Sequence, residues 1–242
     1  MSFTGPLQLS QQEIFKTSSS KLHALGTMGV TRDGKFFRYA QAGAVDLAAG
    51  KLTISPAKVA NHTNVAVQAA AAVNDTTVSI TAGATAVTAN LYDNGYLNVN
   101  EAPGIGQSLQ ISGHSTVGAG GGTVIVQLLD PVTVALTTAA SKVSLVQNPW
   151  DDTIISSGAV AFFGNGVPVV PVTAAYYYWS QTHGMASVLS DGVITKAAGG
   201  IISDAVNGAV EIEVAATVTQ RISWAPEATV DAKYYPQFLT IE

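Results

Sequence analysis

Short β-prone runs separated by turn residues recur along most of the chain, and this spacing limits the fold more than any other feature. Asp33-Gly34 and Asn94-Gly95 each stand between two such runs. Glycine, aspartate and asparagine tolerate the positive φ of tight turns, so these pairs predict β-hairpins. Further β-prone runs lie at 65–68, 76–81, 86–90, 107–112, 123–129, 132–136 and 142–146. The pattern predicts an all-β protein of short-stranded β-barrel or β-sandwich domains, with little helix.

Residues 1–24 differ from the rest of the chain, because they are polar with a few isolated apolar side chains. Ser10 and Glu13 are spaced as a capping box, which predicts one helical turn after Ser10. We expect residues 1–24 to form an extended N-terminal arm that is loose in isolation and becomes ordered against a neighbouring protein. A tail without a function is the alternative. The candidate contact residues of the arm are Phe3, Leu7, Leu9, Ile14 and Phe15.

The aromatic residues are distributed unevenly along the chain. Trp150, Trp179 and Trp224 lie outside residues 61–148, as do most Tyr and Phe residues. Aromatic side chains supply much of the buried surface of a core. We therefore predict that residues 25–60 and 149–242 form a main β domain, and that residues 61–148 are inserted into it as a second, aromatic-poor β domain. Two sequential domains are the competing division.

The low fraction of charged residues and the negative net charge limit the classes of molecule that the chain can bind. Charged residues make up only 11% of the chain, against about 25% in ordinary globular proteins. Such a surface either carries Ser, Thr and Asn on many strands or is covered by other subunits. The net charge of −5 offers no basic field to nucleic acid or anionic lipid. We expect neither as a partner.

The chain contains no cysteine, so disulfides and thiolate metal sites cannot stabilise it. The N-terminus lacks the basic and apolar regions of a signal peptide, and no run of 18 apolar residues occurs. We expect a soluble protein that is made in the cytoplasm and has no membrane partner.

Residues with catalytic or metal-binding chemistry form no recognisable motif. The four histidines, His23, His62, His114 and His183, are far apart in the sequence and match no two-histidine metal spacing. The nucleophile pattern G-x-S-x-G is absent. Asp151-Asp152 and the pair Glu211 and Glu213 would suit acid–base chemistry on a glycoside, but alternating acids on the solvent face of a strand are the ordinary interpretation. We predict no catalytic residue, no cofactor and no metal site.

The densest aromatic patch is Tyr176-Tyr177-Tyr178-Trp179. On a strand, successive side chains point to opposite faces. One pair is therefore expected to enter the core, and the other pair could bind a sugar or pack on a neighbouring subunit.

Residues 25–52 carry a pattern of a hairpin followed by a small, apolar, glycine-bounded segment. This pattern resembles a segment found near the N-terminus of many capsid decoration, or cement, proteins of tailed bacteriophages. Residues 131–149 and 177–186 are similar to further segments of the same proteins. The matching residues in the first segment are Gly29, Asp33, Gly34, Phe37, Arg38, Tyr39, Ala40, Ala42, Gly43, Ala44, Val45, Leu47, Ala48, Ala49, Gly50, Lys51 and Leu52.

The resemblance implies a non-enzymatic structural protein of the virion. Such a protein is made in the host cytoplasm, binds the outer surface of the capsid and stabilises contacts between major capsid subunits. We expect a homotrimer, with a dimer as the alternative, because closed symmetry matches lattice symmetry. Two other functions remain open: a tail or fibre component that binds host glycans, and a polysaccharide-cleaving enzyme.

Overall fold

The computed structural model describes residues 5–157, 163–213 and 220–242. These residues contain seventeen β-strands and two short 3-10 turns, Glu13–Phe15 and Ala60–His62. The all-β prediction is confirmed. The strands are β1 Leu7–Leu9, β2 Met28–Thr31, β3 Phe36–Gln41, β4 Thr53–Ile54, β5 Val65–Ala66, β6 Thr77–Ala82, β7 Tyr96–Glu101, β8 Ser108–His114, β9 Gly122–Leu128, β10 Lys142–Val146, β11 Ile154–Ile155, β12 Gly164–Pro168, β13 Tyr177–Ser190, β14 Gly199–Ile202, β15 Val210–Ile212, β16 Arg221–Trp224 and β17 Lys233–Thr240.

The chain divides into two compact units. The main unit consists of residues 1–56 and 149–242, and the inserted unit consists of residues 57–148. The inserted unit thus begins at residue 57, where the sequence had suggested residue 61. The N-terminal segment belongs to the main unit in this division.

The inserted unit is an antiparallel barrel. Its strands follow the order β5-β10-β7-β8-β9-β6, and each neighbouring pair is antiparallel. A bridge between Val67 and Ile80 joins the first strand to the last, so the sheet closes on itself. Along β9, Val124, Val126 and Leu128 are buried and alternate with outward-facing residues. This alternation produces an aliphatic core inside the barrel.

The main unit is organised around β13, which is 14 residues long. Its first half pairs with β3 and its second half pairs with β17. The register shifts between Gln181 and His183, next to Gly184 at φ 89°. Beyond this point β13, β15, β14, β16 and β17 form a closed ring, because β17 also pairs with β13. The ring encloses Val188, Ile202 and Leu239, among other aliphatic residues.

A recurring turn appears in both units. In each copy a buried aliphatic residue is followed, three positions later, by a residue at positive φ. These pairs are Leu47 and Gly50, Ala71 and Asn74, Val87 and Asn90, Leu136 and Ala139, Val172 and Ala175, and Ile194 and Ala197. In five of the six copies, all except the one with Ala139, the N–H of the residue after the positive-φ residue donates to the carbonyl oxygen three positions before it, as in a type II turn.

Pairs of these turns are bonded to each other. Leu47 and Val172 exchange two backbone hydrogen bonds of 2.8 and 2.9 Å. Ala71 and Leu136 do the same at 3.0 and 2.8 Å. The paired turns therefore join loops that lie outside the named strands. Residues 86–90 and 132–136, predicted as strands, therefore supply only bridging residues, Val87 and Leu136.

The two predicted hairpins differ in outcome. Asp33-Gly34 connects β2 to β3, which pair antiparallel, so the first hairpin is confirmed. The second prediction is wrong, because residues 90–92 belong to a turn and β7 pairs with β8 and β10 instead. The Gly95 N–H donates to the Tyr92 carbonyl oxygen at 2.9 Å. Asn94-Gly95 therefore ends this turn and leads into β7.

Candidate functional site

The N-terminal segment, expected to be loose, is attached to its own chain over the described residues. Leu7 to Leu9 pair in parallel with Gly29 to Thr31 of β2. Ser18 exchanges backbone hydrogen bonds of 3.0 and 2.8 Å with Tyr177 of β13. The segment is extended, but it is part of the main unit. Its described residues are held by pairing with their own chain, so no neighbouring protein is needed to order them.

The five candidate contact residues of the arm therefore have different environments. Leu9 and Ile14 are 9% and 3% exposed and belong to a core cluster with Trp179. Leu7 packs against the same cluster, whereas Phe15 is 55% exposed. Phe3 lies outside the described residues. Leu9 and Ile14 are removed from the candidate contact surface, because their burial in this core leaves little side chain for a partner.

The predicted capping box is present at the start of this segment. The Glu13 N–H donates to the Ser10 hydroxyl at 3.2 Å, and the Ser10 N–H donates to the Glu13 carboxylate at 2.7 Å. These hydrogen bonds hold the pKa of Glu13 below its ordinary value. The turn that follows, Glu13–Phe15, directs Ile14 into the core.

Histidine and carboxylate side chains meet at most in pairs among the described residues, as where Nε2 of His114 lies 3.9 Å from Oδ1 of Asp93. Among the described residues, no three His, Asp or Glu side chains gather into a possible metal site. Glu211 and Glu213 have different environments: burial raises the pKa of Glu211, and Glu213 accepts a 2.7 Å hydrogen bond from the Arg221 guanidinium.

The Tyr176–Trp179 patch packs on both faces of β13. Tyr178 is fully buried on one face with Leu47 and Val172. Trp179 is buried on the other face with Phe37 and Tyr39. The prediction that both members of one pair enter the core is therefore wrong. One residue of each same-face pair is buried instead, Tyr178 in one and Trp179 in the other, because protein covers both faces of the sheet here.

The largest unexpected feature is a row of apolar side chains on the outside of the main-unit ring. We call it the outer row: Phe36, His183, Met185, Phe238 and Trp224. Phe238 stands directly opposite Met185 on β13 and opposite Trp224 on β16. These three side chains are 39%, 41% and 40% exposed. Directly opposed residues on one sheet face are in contact distance, so the row is a continuous surface.

Ring contacts extend the outer row to a fourth strand. The His183 ring stacks on Phe36 with centroids 5.0 Å apart and meets Phe238 edge-on at 5.1 Å. At the other end, the Arg221 guanidinium lies 4.5 Å from the centre of the Trp224 ring. Its charge is paired with Glu213. The outer row is thus a mostly apolar surface with a neutralised rim, which is the composition of a protein-binding patch.

Comparison with protein-family models, curated proteins and solved structures finds no match. The geometry of the chain itself therefore carries the functional argument. Among the described residues no helix is long and apolar enough to cross a membrane.

The sequence did not predict the outer row, because β17 does not place its apolar residues inside and its polar residues outside, as strands usually do. In Lys233–Thr240 the polar Gln237 is buried and the aromatic Phe238 points outward. The Gln237 side chain accepts a hydrogen bond from the Ser223 hydroxyl at 2.8 Å inside the ring. Alternation alone cannot identify the outward face when both faces carry apolar residues; the register with β13 and β16 identifies it.

Proposed function

We propose that this chain is a non-enzymatic structural protein of a phage virion, which binds the outer surface of the capsid and stabilises contacts between major capsid subunits. The outer row is the observation that carries the proposal. A continuous, exposed, mostly apolar row on a rigid sheet is suited to a partner protein with a complementary apolar surface. The partner we propose is the major capsid protein.

The resemblance to capsid decoration proteins supports the choice of partner. Its matching residues lie in the β2–β3 hairpin and in the turn that contains Leu47 and Gly50. Gly29 shows why one of them is needed: a Cβ there would lie 2.4 Å from Cδ1 of Leu9. The matching residues thus build the frame that carries Phe36, at one end of the outer row.

Low charge supports the same proposal. Protein-protein interfaces are depleted of charged residues at their centres, and only 11% of this chain is charged. A capsid presents many equivalent sites, and binding across a joint favours the assembled lattice by mass action. We further propose a homotrimer, with a dimer as the alternative, because closed symmetry suits lattice positions of the same symmetry.

The first prediction concerns attachment to capsids. Replacing Met185 and Phe238 together by serine removes the centre of the outer row, so we expect binding to undecorated phage heads to weaken about 10- to 100-fold, as for a loss of central interface residues. Co-sedimentation of the purified protein with heads measures it. Both side chains are exposed, so the far-UV circular dichroism spectrum should remain unchanged.

The matched control is Val193→Ser combined with Val230→Ser. These valines are 57% and 50% exposed and lie in the main unit outside the outer row. Their replacement should change binding less than about twofold, as for ordinary surface positions. Equal binding by wild type, outer-row variant and control would remove the outer row from the proposal. A wild-type protein that never sediments with heads would contradict the proposed function.

A further inference from the structure

A second surface of the main unit has a different chemistry from the outer row. A cleft of about 330 Å³ lies between the N-terminal segment and the sheet, lined by Glu13, Lys16, His23, Tyr39, Tyr177 and Trp179, among others. We call it the N-terminal cleft. Its volume lies at the lower end of the range of small-molecule sites, about 300–1,000 Å³.

The aromatic residues of the N-terminal cleft are held by one another. The Tyr39 and Tyr177 rings are nearly parallel with centroids 5.8 Å apart, and Trp179 meets Tyr39 edge-on at 5.1 Å. His23 lies 5.0 Å from Tyr39 and 5.5 Å from Trp179. The Tyr39 hydroxyl accepts a 3.1 Å hydrogen bond from the Leu22 N–H. These contacts preorganise the aromatic wall before any ligand arrives.

Several polar groups of this cleft have no protein partner. Trp179 is only 5% exposed, yet its indole N–H makes no hydrogen bond within the described part of the chain. The same holds there for the Tyr177 hydroxyl, the His23 ring nitrogens and the Lys16 ammonium group. Buried polar groups are normally hydrogen-bonded. The Trp179 indole N–H is not one of the fully buried atoms that lack a partner, so it is open to the cleft, where water or a ligand can accept its hydrogen bond.

The protonation of the tyrosines fits a neutral ligand. Burial raises the pKa of Tyr39 and of Tyr177, and the nearby Asp151 and Asp152 carboxylates raise the pKa of Tyr177 further. Both phenols therefore stay protonated at neutral pH and can donate hydrogen bonds. Glu13 and Lys16 bring one charge of each sign, so the lining side chains apart from His23 carry no net charge.

We propose that the N-terminal cleft binds one pyranose ring of a neutral saccharide. Sugar hydroxyls both donate and accept hydrogen bonds, which suits the unpaired indole N–H, phenol and imidazole groups. The C–H face of the ring suits the aromatic wall, because such sites combine apolar lining with a few placed polar groups. This function is separate from capsid attachment, since the cleft shares no residue with the outer row.

The test uses the indole N–H signals of 15N-labelled protein. The chain has three tryptophans: Trp150 donates to the Asn165 carbonyl oxygen at 3.2 Å, Trp224 belongs to the outer row, and Trp179 lies in the cleft. The probes are the methyl glycosides of glucose, galactose and N-acetylglucosamine, each added up to about 100 mM because a single sugar ring is expected to bind with a dissociation constant on the order of 1 mM. The Trp179→Phe variant assigns the signal.

We expect a saturable shift of the Trp179 signal with at least one probe, while the Trp150 and Trp224 signals remain in place. Tyr177→Phe should weaken that binding about 3- to 10-fold, as for the loss of one neutral hydrogen bond. Tyr234→Phe is the matched control, because it removes an equally unpaired phenol from an exposed tyrosine outside the cleft, and its affinity should equal that of the wild type.

Three results would overturn the saccharide site. The first is a Trp179 signal that none of the three probes moves. The second is a shift that does not saturate, or that Tyr177→Phe and Tyr234→Phe change equally. The third is a Trp179 signal that depends on protein concentration without sugar, since that would place a second copy of the chain in the cleft. None of these results bears on sedimentation with phage heads.

Discussion

Both units have a core enclosed by β-strands, but different kinds of side chain fill the two cores. The inserted unit encloses almost only Val, Leu, Ile and Ala, and Tyr92 is the aromatic residue of its core cluster. The main unit packs Phe37, Tyr39, Tyr178 and Trp179 around β13. The difference follows from topology, because a small barrel is filled from one side of each strand, whereas the first half of β13 is covered on both faces.

Polar groups in the two cores are also held differently. In the inserted unit the Tyr92 hydroxyl lies 2.6 Å from Nδ1 of His62, and Nε2 of His62 lies 3.0 Å from the Thr85 carbonyl oxygen. The carbonyl can only accept, which assigns the proton to Nε2 of His62 and makes the Tyr92 hydroxyl the donor to Nδ1. Among the described residues, Nδ1 of His62 therefore has the Tyr92 hydroxyl as its single hydrogen-bond partner.

In the main unit the corresponding tyrosine hydroxyl meets an oxygen atom that has a second partner. The Tyr178 and Thr153 hydroxyls lie 2.9 Å apart, and the Thr153 hydroxyl also donates to the Gln41 carbonyl oxygen at 2.9 Å. Loss of the Tyr178 hydroxyl would therefore leave Thr153 with a partner. The comparison teaches that equal burial of two tyrosines does not imply equal dependence on their hydroxyls.

The largest expected effect tests whether the units are independent. Leu97 is fully buried in the inserted core, and Leu97→Ala should destabilise that unit by about 2–5 kcal/mol, the usual range for a leucine in a core. All three tryptophans lie in the main unit, so tryptophan fluorescence in urea reports the main unit alone. Hydrogen exchange of peptides from 57–148 reports the inserted unit.

We expect faster exchange in the inserted unit and an unchanged fluorescence midpoint. Leu129→Ala is the control, because Leu129 is 45% exposed and its truncation should cost less than about 0.5 kcal/mol. A fluorescence midpoint that falls together with the exchange protection would mean that the two units unfold as one.

A smaller effect separates the two polar networks. Tyr92→Phe leaves Nδ1 of His62 without a donor inside a core, so we expect a loss of about 1–3 kcal/mol. Tyr178→Phe should cost about 0.5–1.5 kcal/mol, the range for one ordinary hydrogen bond. Urea unfolding monitored by hydrogen exchange measures the loss in Tyr92→Phe. Urea unfolding monitored by tryptophan fluorescence measures the loss in Tyr178→Phe. Equal losses would contradict the distinction between a nitrogen with one partner and an oxygen with two.

The pH dependence of the Tyr92 variant sharpens this test. Burial raises the pKa of Tyr92 from 10.0 to about 12. A group whose pKa is raised in the folded state contributes stability below its unfolded pKa and loses that contribution as the pH rises through its folded pKa. The stability difference between wild type and Tyr92→Phe should therefore be constant below pH 9 and shrink between about pH 10 and pH 12.

The sequence predicted the inserted unit better than the main unit, for a physical reason. Strands such as β9 alternate strictly, and alternation is the signal that a half-buried strand leaves in a sequence. In β13, Tyr178 to Thr182 are all buried, so no alternation marks the strand faces. The outer row and the N-terminal cleft both depend on this strand, and both arise from pairings between residues that are distant in sequence.

The N-terminal segment shows the same limit. Isolated apolar residues in a polar stretch resemble a loose arm, but parallel pairing of Leu7 to Leu9 with β2 is a long-range contact that composition cannot reveal. The capping box was local and was therefore predictable. Local turn chemistry also identified Asp33-Gly34, whereas Asn94-Gly95 was misinterpreted because the same turn residues serve a loop that is not a hairpin.

The smallest expected effect concerns the recurring turn, which both units share. At its positive-φ position the chain has Gly50, Asn74 and Asn90 in some copies, but Ala139, Ala175 and Ala197 in others. An alanine in this conformation costs about 1–2 kcal/mol, and asparagine tolerates it better.

Ala175 and Asn74 provide a matched pair for this prediction, because both side chains are exposed. Ala175→Asn should stabilise the main unit by about 0.5–1 kcal/mol, and Asn74→Ala should destabilise the inserted unit by a similar amount. Urea unfolding measures the first by tryptophan fluorescence and the second by hydrogen exchange. Effects of the same sign in the two variants would contradict a common turn geometry, since the substitutions are opposite at equivalent positions. Opposite signs would show that the turns of both units have the same requirement for positive φ. This requirement would then not depend on the side chains in either core.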